Sequence, residues 1–245
     1  MKPIFKIHFL FFIAAFIFFI TGLFKDFIIF TSIIFIHELG HITIGLLFKW
    51  KIEKIIIFPF GGMTIFNQKI NTSLKEEFIV AISGIIFQTI FLFVMNTDNY
   101  LFIKYYKLIL IFNLLPIYPL DGAKILNILF NKMFCFKMSY YLTIIISIII
   151  SLIIYSLLIN NFNLLLFLSI TLLFTKIFKY YKDIDLVFNK FLFERYLYKI
   201  KYKKIKKINN LNKMYKEYTH LLFLNNNIIK EEDLLNKMFD TKGIL

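Results

Sequence analysis

The sequence predicts an α-helical membrane protein that crosses the bilayer about six times, with a short re-entrant β-hairpin and a small cytosolic α/β tail. The 245-residue chain is 59% hydrophobic and 20% aromatic, and its mean hydropathy is +0.73. Apolar runs of helical length recur over residues 1–180, and basic residues crowd the chain from 181 to 245. This composition is typical of an integral membrane protein, so we expect a membrane domain followed by a basic tail.

The predicted spans follow one another closely, and a span needs roughly 20 apolar residues to cross the bilayer as a helix. Lys25 and Asp26 form a very short turn after the first span. We expect the first span to be retained in the mature protein, because no small-x-small cleavage site follows it. The fourth span is broken by Pro116 and Pro119. The six spans are His8–Phe24, Phe27–Phe48, Phe78–Met95, a segment beginning near Leu101, Ser139–Leu158 and Leu164–Phe178.

The distribution of positive charge predicts the orientation of the chain. With both termini in the cytosol, 26 of the 29 Lys and Arg residues lie on the inner side of the membrane. Only Lys25, Lys104 and Lys107 lie outside, in agreement with the positive-inside rule. We therefore expect a multi-pass protein of the bacterial cell membrane with cytosolic N- and C-termini.

The net charge of +14 does not indicate nucleic-acid binding. Arg195 is the one arginine among the 29 basic residues, and bidentate recognition of phosphate favours arginine. Aromatic residues are interleaved with lysines over Lys190–Lys216, which predicts an amphipathic helix attracted to the lipid bilayer. A solvated charged helix remains an alternative. After it, strand-turn-strand over residues 220–229 and a helix over Glu231–Phe239 are expected.

The second predicted span contains the motif His37-Glu38-Leu39-Gly40-His41, an HExxH pattern. Positions i and i+4 share a helix face, so His37 and His41 can point at one metal ion. Glu38 lies beside them and can take a proton from water. An ionisable cluster inside an apolar span is costly unless it is satisfied, which favours a functional site over chance composition.

A hydrolytic zinc site needs a third protein ligand, and the sequence leaves one good candidate. Position 47, where a third histidine would extend the motif, is Leu47. Among the carboxylates, Asp121 lies in the broken segment, where backbone can approach a cavity, and Gly122 follows it. The alternative is that Asp121 caps a helix starting near Ala123.

Two motifs together resemble the site-2 protease family of intramembrane zinc metalloproteases, peptidase family M50. They are HExxH and Asn113-x-x-Pro116-x-x-Pro119-Leu120-Asp121-Gly122. Within the family, the chain is most similar to the six-span branch that acts in sporulation. Residues 59–62 and 193–196 also resemble that branch, and no PDZ-like insert is visible.

The resemblance implies Zn²⁺ bound by His37, His41 and Asp121, Glu38 as the catalytic base, and Asn113 as a polar residue near the metal or the substrate. It implies hydrolysis of a peptide bond in or next to the membrane segment of a tethered protein, a pro-sigma factor of sporulation. It further implies inhibitory membrane partners, a location in the membrane around the forespore, and a tail that resembles a degenerate CBS-like half. Where many members carry Asn in the third span, this chain has Gln88.

Two other functions remain open from the residues. A general site-2 protease would act on anti-sigma factors or signal-peptide remnants. A non-enzymatic metal transporter would use the same histidines and carboxylates as transport ligands. A membrane scaffold with a vestigial motif is disfavoured by the complete ligand set.

The stretch Ile55–Phe66 predicts a pair of strands around Pro59, Gly61 and Gly62. An ordinary interfacial loop is the alternative. Since a helix hides its own peptide bonds, a substrate must be extended at the cut, and an exposed strand edge can supply backbone partners to it. We expect an edge at Ile56 and Ile57, with Gly61 and Gly62 allowing close approach of the substrate backbone.

Overall fold

The computed structural model describes residues 4–58, 61–95, 98–160, 164–224 and 227–240. Helices dominate these ranges, and the strands form two small sheets. The helices are α1 (Phe9–Ile20), α2 (Phe24–Leu47), α3 (Leu74–Met95), α4 (Tyr100–Leu114), α5 (Asp121–Met133), α6 (Phe136–Asn160), α7 (Leu164–Tyr198) and α8 (Glu231–Asp240). The strands are β1 (Ile4–Ile7), β2 (Lys51–Phe58), β3 (Gly61–Asn67), β4 (Ile205–Ile208), β5 (Thr219–Leu224) and β6 (Asn227–Lys230).

Helices coincide with all six predicted spans, but they differ in length. In the described part of the chain, α2, α3 and α6 are long and apolar enough to cross a membrane. α1 is apolar with 12 residues, and α4 has 15. α7 has 35 residues, which at 1.5 Å per residue is about 52 Å, well beyond the ~30 Å of hydrocarbon. Crossing of the membrane by all six helices therefore stays a prediction.

The predicted turn at Lys25 and Asp26 is wrong, because α2 begins at Phe24 and Asp26 lies in its first turn. Asp26 is buried, and its Oδ1 accepts a hydrogen bond from the hydroxyl of Tyr105 in α4 at 2.8 Å. Phe18 of α1 packs against Phe27 of α2. These contacts join α1, α2 and α4 in one cluster. The carboxylate of Asp26 therefore has a hydrogen-bond partner in a neighbouring helix, whereas in an exposed turn it would have been hydrated.

The predicted strand pair after α2 is confirmed as part of a three-stranded sheet. β2 pairs with β3 in antiparallel register, and β1 adds to the other side of β2 in parallel register, a strand that the sequence did not predict. β2 is therefore the central strand, so the expected edge at Ile56 and Ile57 is wrong. Among the described strands, the free edge near the motif belongs to β3. Pro59 and Phe60 lie outside the described residues.

Small residues bring α2 and α3 close together where Gly40 of α2 meets Ser83 and Gly84 of α3. A Cβ added to Gly40 would lie 2.5 Å from the carbonyl oxygen of Ser83. Real Cβ atoms do not approach backbone oxygen so closely, so this helix crossing requires glycine at position 40. The crossing sets the HExxH motif directly against the middle of α3.

The broken segment between α4 and α5 folds back against its own start. A Cβ on Gly122 would lie 2.1 Å from the carbonyl oxygen of Leu114. The hydroxyl of Ser147 in α6 accepts a hydrogen bond from the backbone N–H of Tyr118 at 3.1 Å. Backbone that cannot continue a helix is thus satisfied by protein, as required where lipid offers no partners. The segment delivers Asp121 to the start of α5.

The tail differs from its predicted helix over Lys190–Lys216. α7 ends at Tyr198, and Ile205–Ile208 instead form β4, which pairs with β5 in parallel register and buries Ile208. The predicted strand-turn-strand and closing helix are confirmed by β5, β6 and α8. Residues 225 and 226 of the turn lie outside the described ranges. The helix prediction failed because the local pattern of aromatic and basic residues carries no information about the pairing of β4 with a strand later in the chain.

The tail also forms hydrogen bonds with the β3–α3 loop, which comprises residues 68–73. Glu194 accepts hydrogen bonds from the backbone N–H groups of Ile70 and Asn71, both at 3.0 Å. The neighbouring Arg195 donates from Nε to Asn71 Oδ1 at 2.9 Å and from Nη1 to Glu231 at 2.8 Å. All of these carboxylate and guanidinium groups are buried.

Glu231 is ionised in this buried network. Burial favours its neutral form, but the hydrogen bond from His220 and the positive charge of Arg195 outweigh burial, so the pKa of Glu231 lies below its usual value. The carboxylate therefore stays charged at neutral pH and balances the guanidinium. Removing either partner alone would leave an unpaired buried charge, which typically costs about 3–5 kcal/mol.

Candidate metal centre

Three side chains from two helices meet at one buried point. His37 and His41 lie one turn apart on α2, and Asp121 is the first residue of α5. Asp121 Oδ2 lies 2.9 Å from Nε2 of each histidine, and the two Nε2 atoms are 3.2 Å apart. Leu120 occupies the N-cap position of α5, so the alternative that Asp121 serves as the helix cap is wrong.

Each histidine ring is oriented by a partner on its far nitrogen. His41 Nδ1 donates to the backbone carbonyl of Val80 at 2.8 Å. His37 Nδ1 lies 3.0 Å from Gln88 Oε1, and Gln88 Nε2 donates to the carbonyl of Tyr106 at 2.9 Å, which fixes the amide with its oxygen toward the ring. With both Nδ1 atoms protonated, both Nε2 atoms keep their lone pairs toward Asp121.

The chemistry of these three atoms fits a bound cation. When both rings carry their proton on Nδ1, two lone-pair nitrogens and a carboxylate oxygen face one another within 3.2 Å, an arrangement that a positive ion among them stabilises. Two imidazoles and one carboxylate are a known catalytic zinc set with bond lengths of about 2.0–2.2 Å, which places tetrahedral ligands about 3.3 Å apart. The observed separations are close to that value.

Gly84 leaves the space that such an ion needs. A Cβ at this position would lie 2.5 Å from His41 Nε2 and 2.7 Å from His37 Nε2. Any side chain on this face of α3 would therefore occupy the point where the three donor atoms meet. Gly84 therefore serves both the close crossing of α2 and α3 and the space between the donor atoms.

Lys124 holds the other oxygen of Asp121. Its ammonium group donates to Asp121 Oδ1 at 2.9 Å, while Oδ2 faces the histidines. Sequence reasoning missed this residue. The i, i+3 spacing on a helix starting at Asp121 was the available signal.

Glu38 is positioned by β3. Its Oε2 accepts a hydrogen bond from the hydroxyl of Thr64 at 2.7 Å, and both residues are buried. A Cβ on Gly62 would lie 2.3 Å from Glu38 Cγ, so the strand passes directly over the carboxylate. Ligand atoms of His37, Glu38 and His41 all lie within 4.8 Å of one another. Thr64 was not singled out from the sequence, since its role depends on the register of β3 against α2.

Asn113 and Gly61 lie beside this cluster. Asn113 is buried near the end of α4, and its Oδ1 lies 3.7 Å from the position of a Cβ added to Gly61. Its Nδ2 has no hydrogen-bond partner among the described residues. A buried unpaired donor costs free energy, which points to a partner supplied from outside the chain. All seven residues expected at the site are thus brought together.

If the site hydrolyses peptide bonds as the resemblance implies, we expect Thr64→Val to lower that rate about 10- to 100-fold, because a hydrogen bond to a charged group is worth ~1.5–3 kcal/mol and keeps Glu38 in place. Thr64→Ser retains the hydroxyl and should restore most of the rate. Zinc content, measured by mass spectrometry of the purified protein, should be the same in both variants. Equal rates for the Val and Ser variants would contradict this role.

Gln88→Leu is expected to weaken zinc binding about 10- to 100-fold, the usual effect of losing the partner that orients a metal-binding histidine. The leucine cannot accept the proton of His37 Nδ1, so the ring is free to rotate or change tautomer. Gln88→Glu keeps an acceptor and serves as the control. Competition with a calibrated zinc chelator measures both affinities, and unchanged binding in the Leu variant would refute the assignment.

Comparisons relate this chain to known proteins. The sequence pattern of Peptidase family M50 matches residues 26–103. Stage IV sporulation protein FB of Bacillus subtilis (strain 168) is 33% identical over 214 residues, which cover 79% of this chain and 72% of that protein. Zinc metalloprotease MJ0392 of Methanocaldococcus jannaschii is 27% identical over 122 residues, covering 46% and 36% respectively.

A solved structure shares the fold. The Site-2 Protease from Methanocaldococcus jannaschii superposes with a TM-score of 0.55 at 22% identity, over 73% of this chain and 92% of that one. At 22% identity this likeness shows the fold alone.

Proposed function

Since this chain belongs to peptidase family M50 and is a zinc metalloendopeptidase, we propose that it hydrolyses a peptide bond within or next to the membrane segment of a tethered protein. The observation that carries the proposal is the meeting of His37, His41 and Asp121 around one buried point with Glu38 beside it. Family membership also argues against the alternatives of a metal transporter and a scaffold.

In this proposal His37, His41 and Asp121 hold zinc, and Glu38 is the general base. When bound, zinc supplies Lewis acidity that polarises a carbonyl and makes water more acidic. Glu38 accepts the proton of the attacking water and passes it to the leaving amine, while Thr64 keeps its carboxylate in place. Lys124 holds Asp121 by its second oxygen, so the carboxylate cannot turn away from the histidines.

The free edge of β3 is proposed to align the substrate. An extended chain pairing with β3 would run past Glu38, and Gly61 and Gly62 would allow its backbone to approach closely. The unpaired Nδ2 of Asn113 lies nearby and can donate to a carbonyl oxygen of the bound chain. In this proposal the substrate is aligned along β3 rather than along β2.

We further propose that the substrate is a membrane-tethered pro-sigma factor of sporulation and that inhibitory membrane proteins act as partners. Support comes from the similarity to Stage IV sporulation protein FB over most of the chain. A forespore-membrane location belongs to the same proposal. A general site-2 protease acting on anti-sigma factors or signal-peptide remnants is the alternative, and the cleaved protein would decide between them.

Both termini are proposed to be cytosolic with six spans. Pairing of β1 with β2 supports one side for residues 4–7 and 51–67, and docking of Glu194 and Arg195 on the β3–α3 loop supports the same side for the tail. These contacts agree with the charge distribution and do not depend on it. The division into a membrane domain (1–180) and a basic tail with a CBS-like half (181–245) is part of this proposal.

Cysteine labelling tests this topology. In a Cys135→Ser background, we expect cysteines at Lys75, Lys132 and Asn209 to be protected from an impermeant maleimide applied outside intact cells. A cysteine at Asp98 should react, because the α3–α4 turn is placed outside. All four positions are exposed, so protection reports the membrane rather than burial. Reaction of the cysteine at 209 in intact cells would overturn the six-span topology.

The function itself is tested by cleavage of tethered reporters. Full-length chain is co-expressed with single-span reporter proteins whose residues at the membrane boundary are randomised, and the products are sequenced by mass spectrometry. We expect cuts in or next to the span that stop when a membrane-permeant zinc chelator is added and resume when zinc is restored. Cleavage insensitive to zinc removal would contradict the proposal.

A further inference from the structure

A cavity of about 310 Å³ adjoins the metal centre on the side of β3. His41 and Lys124 line it at the end nearest Asp121, and Thr64, which holds Glu38, lies on its wall. Its size is at the lower end of pockets that bind small ligands, and about ten waters at ~30 Å³ each would fill it. The cavity is therefore large enough to take a side chain in addition to the one water that hydrolysis consumes.

The far wall of the cavity is aromatic. Tyr118 of the broken segment stacks on Tyr180 of α7 with ring centroids 3.8 Å apart, and Tyr140 of α6 lies 5.3 Å from Tyr180. α3 and α5 also line the cavity, with the apolar side chains of Ala81 and Ile128 and the polar side chains of Glu77 and Asn127. Aromatic faces and edges favour a further aromatic ring, and the ammonium group of Lys124 at the mouth favours one as well.

The strand register explains how a substrate would reach this space. Met63–Phe66 of β3 line the cavity, and β3 is the edge along which the substrate is proposed to pair. Successive side chains of an extended chain point to opposite faces. A residue next to the cut would therefore point its side chain past His41 and into the cavity, while its neighbours point away.

We propose that this cavity is a specificity subsite that binds one large aromatic side chain, carried by a residue directly flanking the scissile bond. The inference rests on the proposed protease function and adds to it a substrate preference. Burying an aromatic side chain removes about 150–250 Å² from solvent, which provides the binding energy for selection. Nothing in the motif itself implies this preference.

The randomised single-span reporters test the subsite, with cells carrying Glu38→Gln as the blank. For wild-type chain we expect aromatic residues to be enriched at least about tenfold over alanine at one of the two positions flanking the cut. Ala81→Leu and Ile128→Phe reduce the cavity from two different walls. Each should lower that enrichment to about twofold or less while alanine-containing reporters are still cut.

Matched controls carry the same substitutions elsewhere. Ala15→Leu in α1 and Ile149→Phe on the exposed face of α6 should keep the wild-type preference. Equal slowing of all reporters by both filling variants would identify the cavity as a water passage and overturn the subsite. Glu38-dependent cutting without aromatic enrichment would also overturn it while leaving the protease function intact. No Glu38-dependent cutting of any reporter would overturn the function, and the subsite with it.

Discussion

Replacing Glu38 with Gln is expected to abolish cleavage while the purified protein keeps its zinc. The amide has the size of the carboxylate and can still accept the hydrogen bond from Thr64, so the packing against Gly62 is preserved. It cannot accept the proton of the attacking water, and loss of a general base typically costs about 10²- to 10⁴-fold in rate. Reporter cleavage and metal content, measured on the same preparation, provide the two readouts.

A neighbouring substitution separates chemistry from packing. Thr64→Ser retains a hydroxyl next to Glu38 and is expected to cleave at a rate near that of the wild type. If Glu38→Gln also cleaved at that rate, the general base would have to be a different group, and the assignment of roles around the metal would be wrong.

Asp121→Ala is expected to remove most of the zinc. The substitution deletes the oxygen that lies 2.9 Å from both histidine Nε2 atoms and leaves two ligands where a hydrolytic site uses three. Loss of a residue that is hydrogen-bonded to a metal ligand already lowers metal affinity about 10- to 100-fold, so loss of a ligand itself should lower it further. Inductively coupled plasma mass spectrometry gives the stoichiometry, with about one zinc expected in the wild type.

Lys124→Met provides the matched control for Asp121. It removes the ammonium group from Asp121 Oδ1 but leaves the Oδ2 atom that faces the histidines. We expect weaker binding with zinc still present at saturating concentration. Retention of tightly bound zinc by Asp121→Ala would show that another carboxylate is the third ligand.

The sequence predicted the side chains that meet at the candidate metal centre, but not the groups that orient them. HExxH is local, so the spacing of His37 and His41 on one helix face follows from the helix period alone. Asp121 was found because Pro116, Pro119 and Gly122 mark backbone that must be buried in protein. Both inferences use short-range rules, and the structure brings these residues together.

Thr64, Lys124 and the role of Gln88 depend on tertiary contacts. Thr64 meets Glu38 only because β3 crosses α2 at Gly62, and Gln88 meets His37 only because Gly40 lets α3 approach. The parallel pairing of β1 with β2 joins residues that are fifty positions apart and leaves no local pattern. The basic stretch after Tyr198 misled for the same reason, since its partner strand comes later in the chain.

Because the tail docks on the β3–α3 loop, the hydrogen bonds of this loop can be completed only after the tail has been synthesised. α2, β3 and the start of α3 are synthesised more than a hundred residues before Glu194 and Arg195, which form hydrogen bonds with the loop. The first N–H of α3, that of Leu74, waits longer still for its acceptor in Glu217. The buried positive charge of Arg195 in turn gains its ion-pair partner only once Glu231 has been synthesised.

Until then the start of α3 lacks the partners that a buried backbone requires. α3 carries Gly84 and Gln88, so its placement decides whether the histidines and Asp121 can close on one ion. A segment translated more than a hundred residues later thus completes the packing at the start of α3, and the metal centre is expected to mature only after the tail has been made.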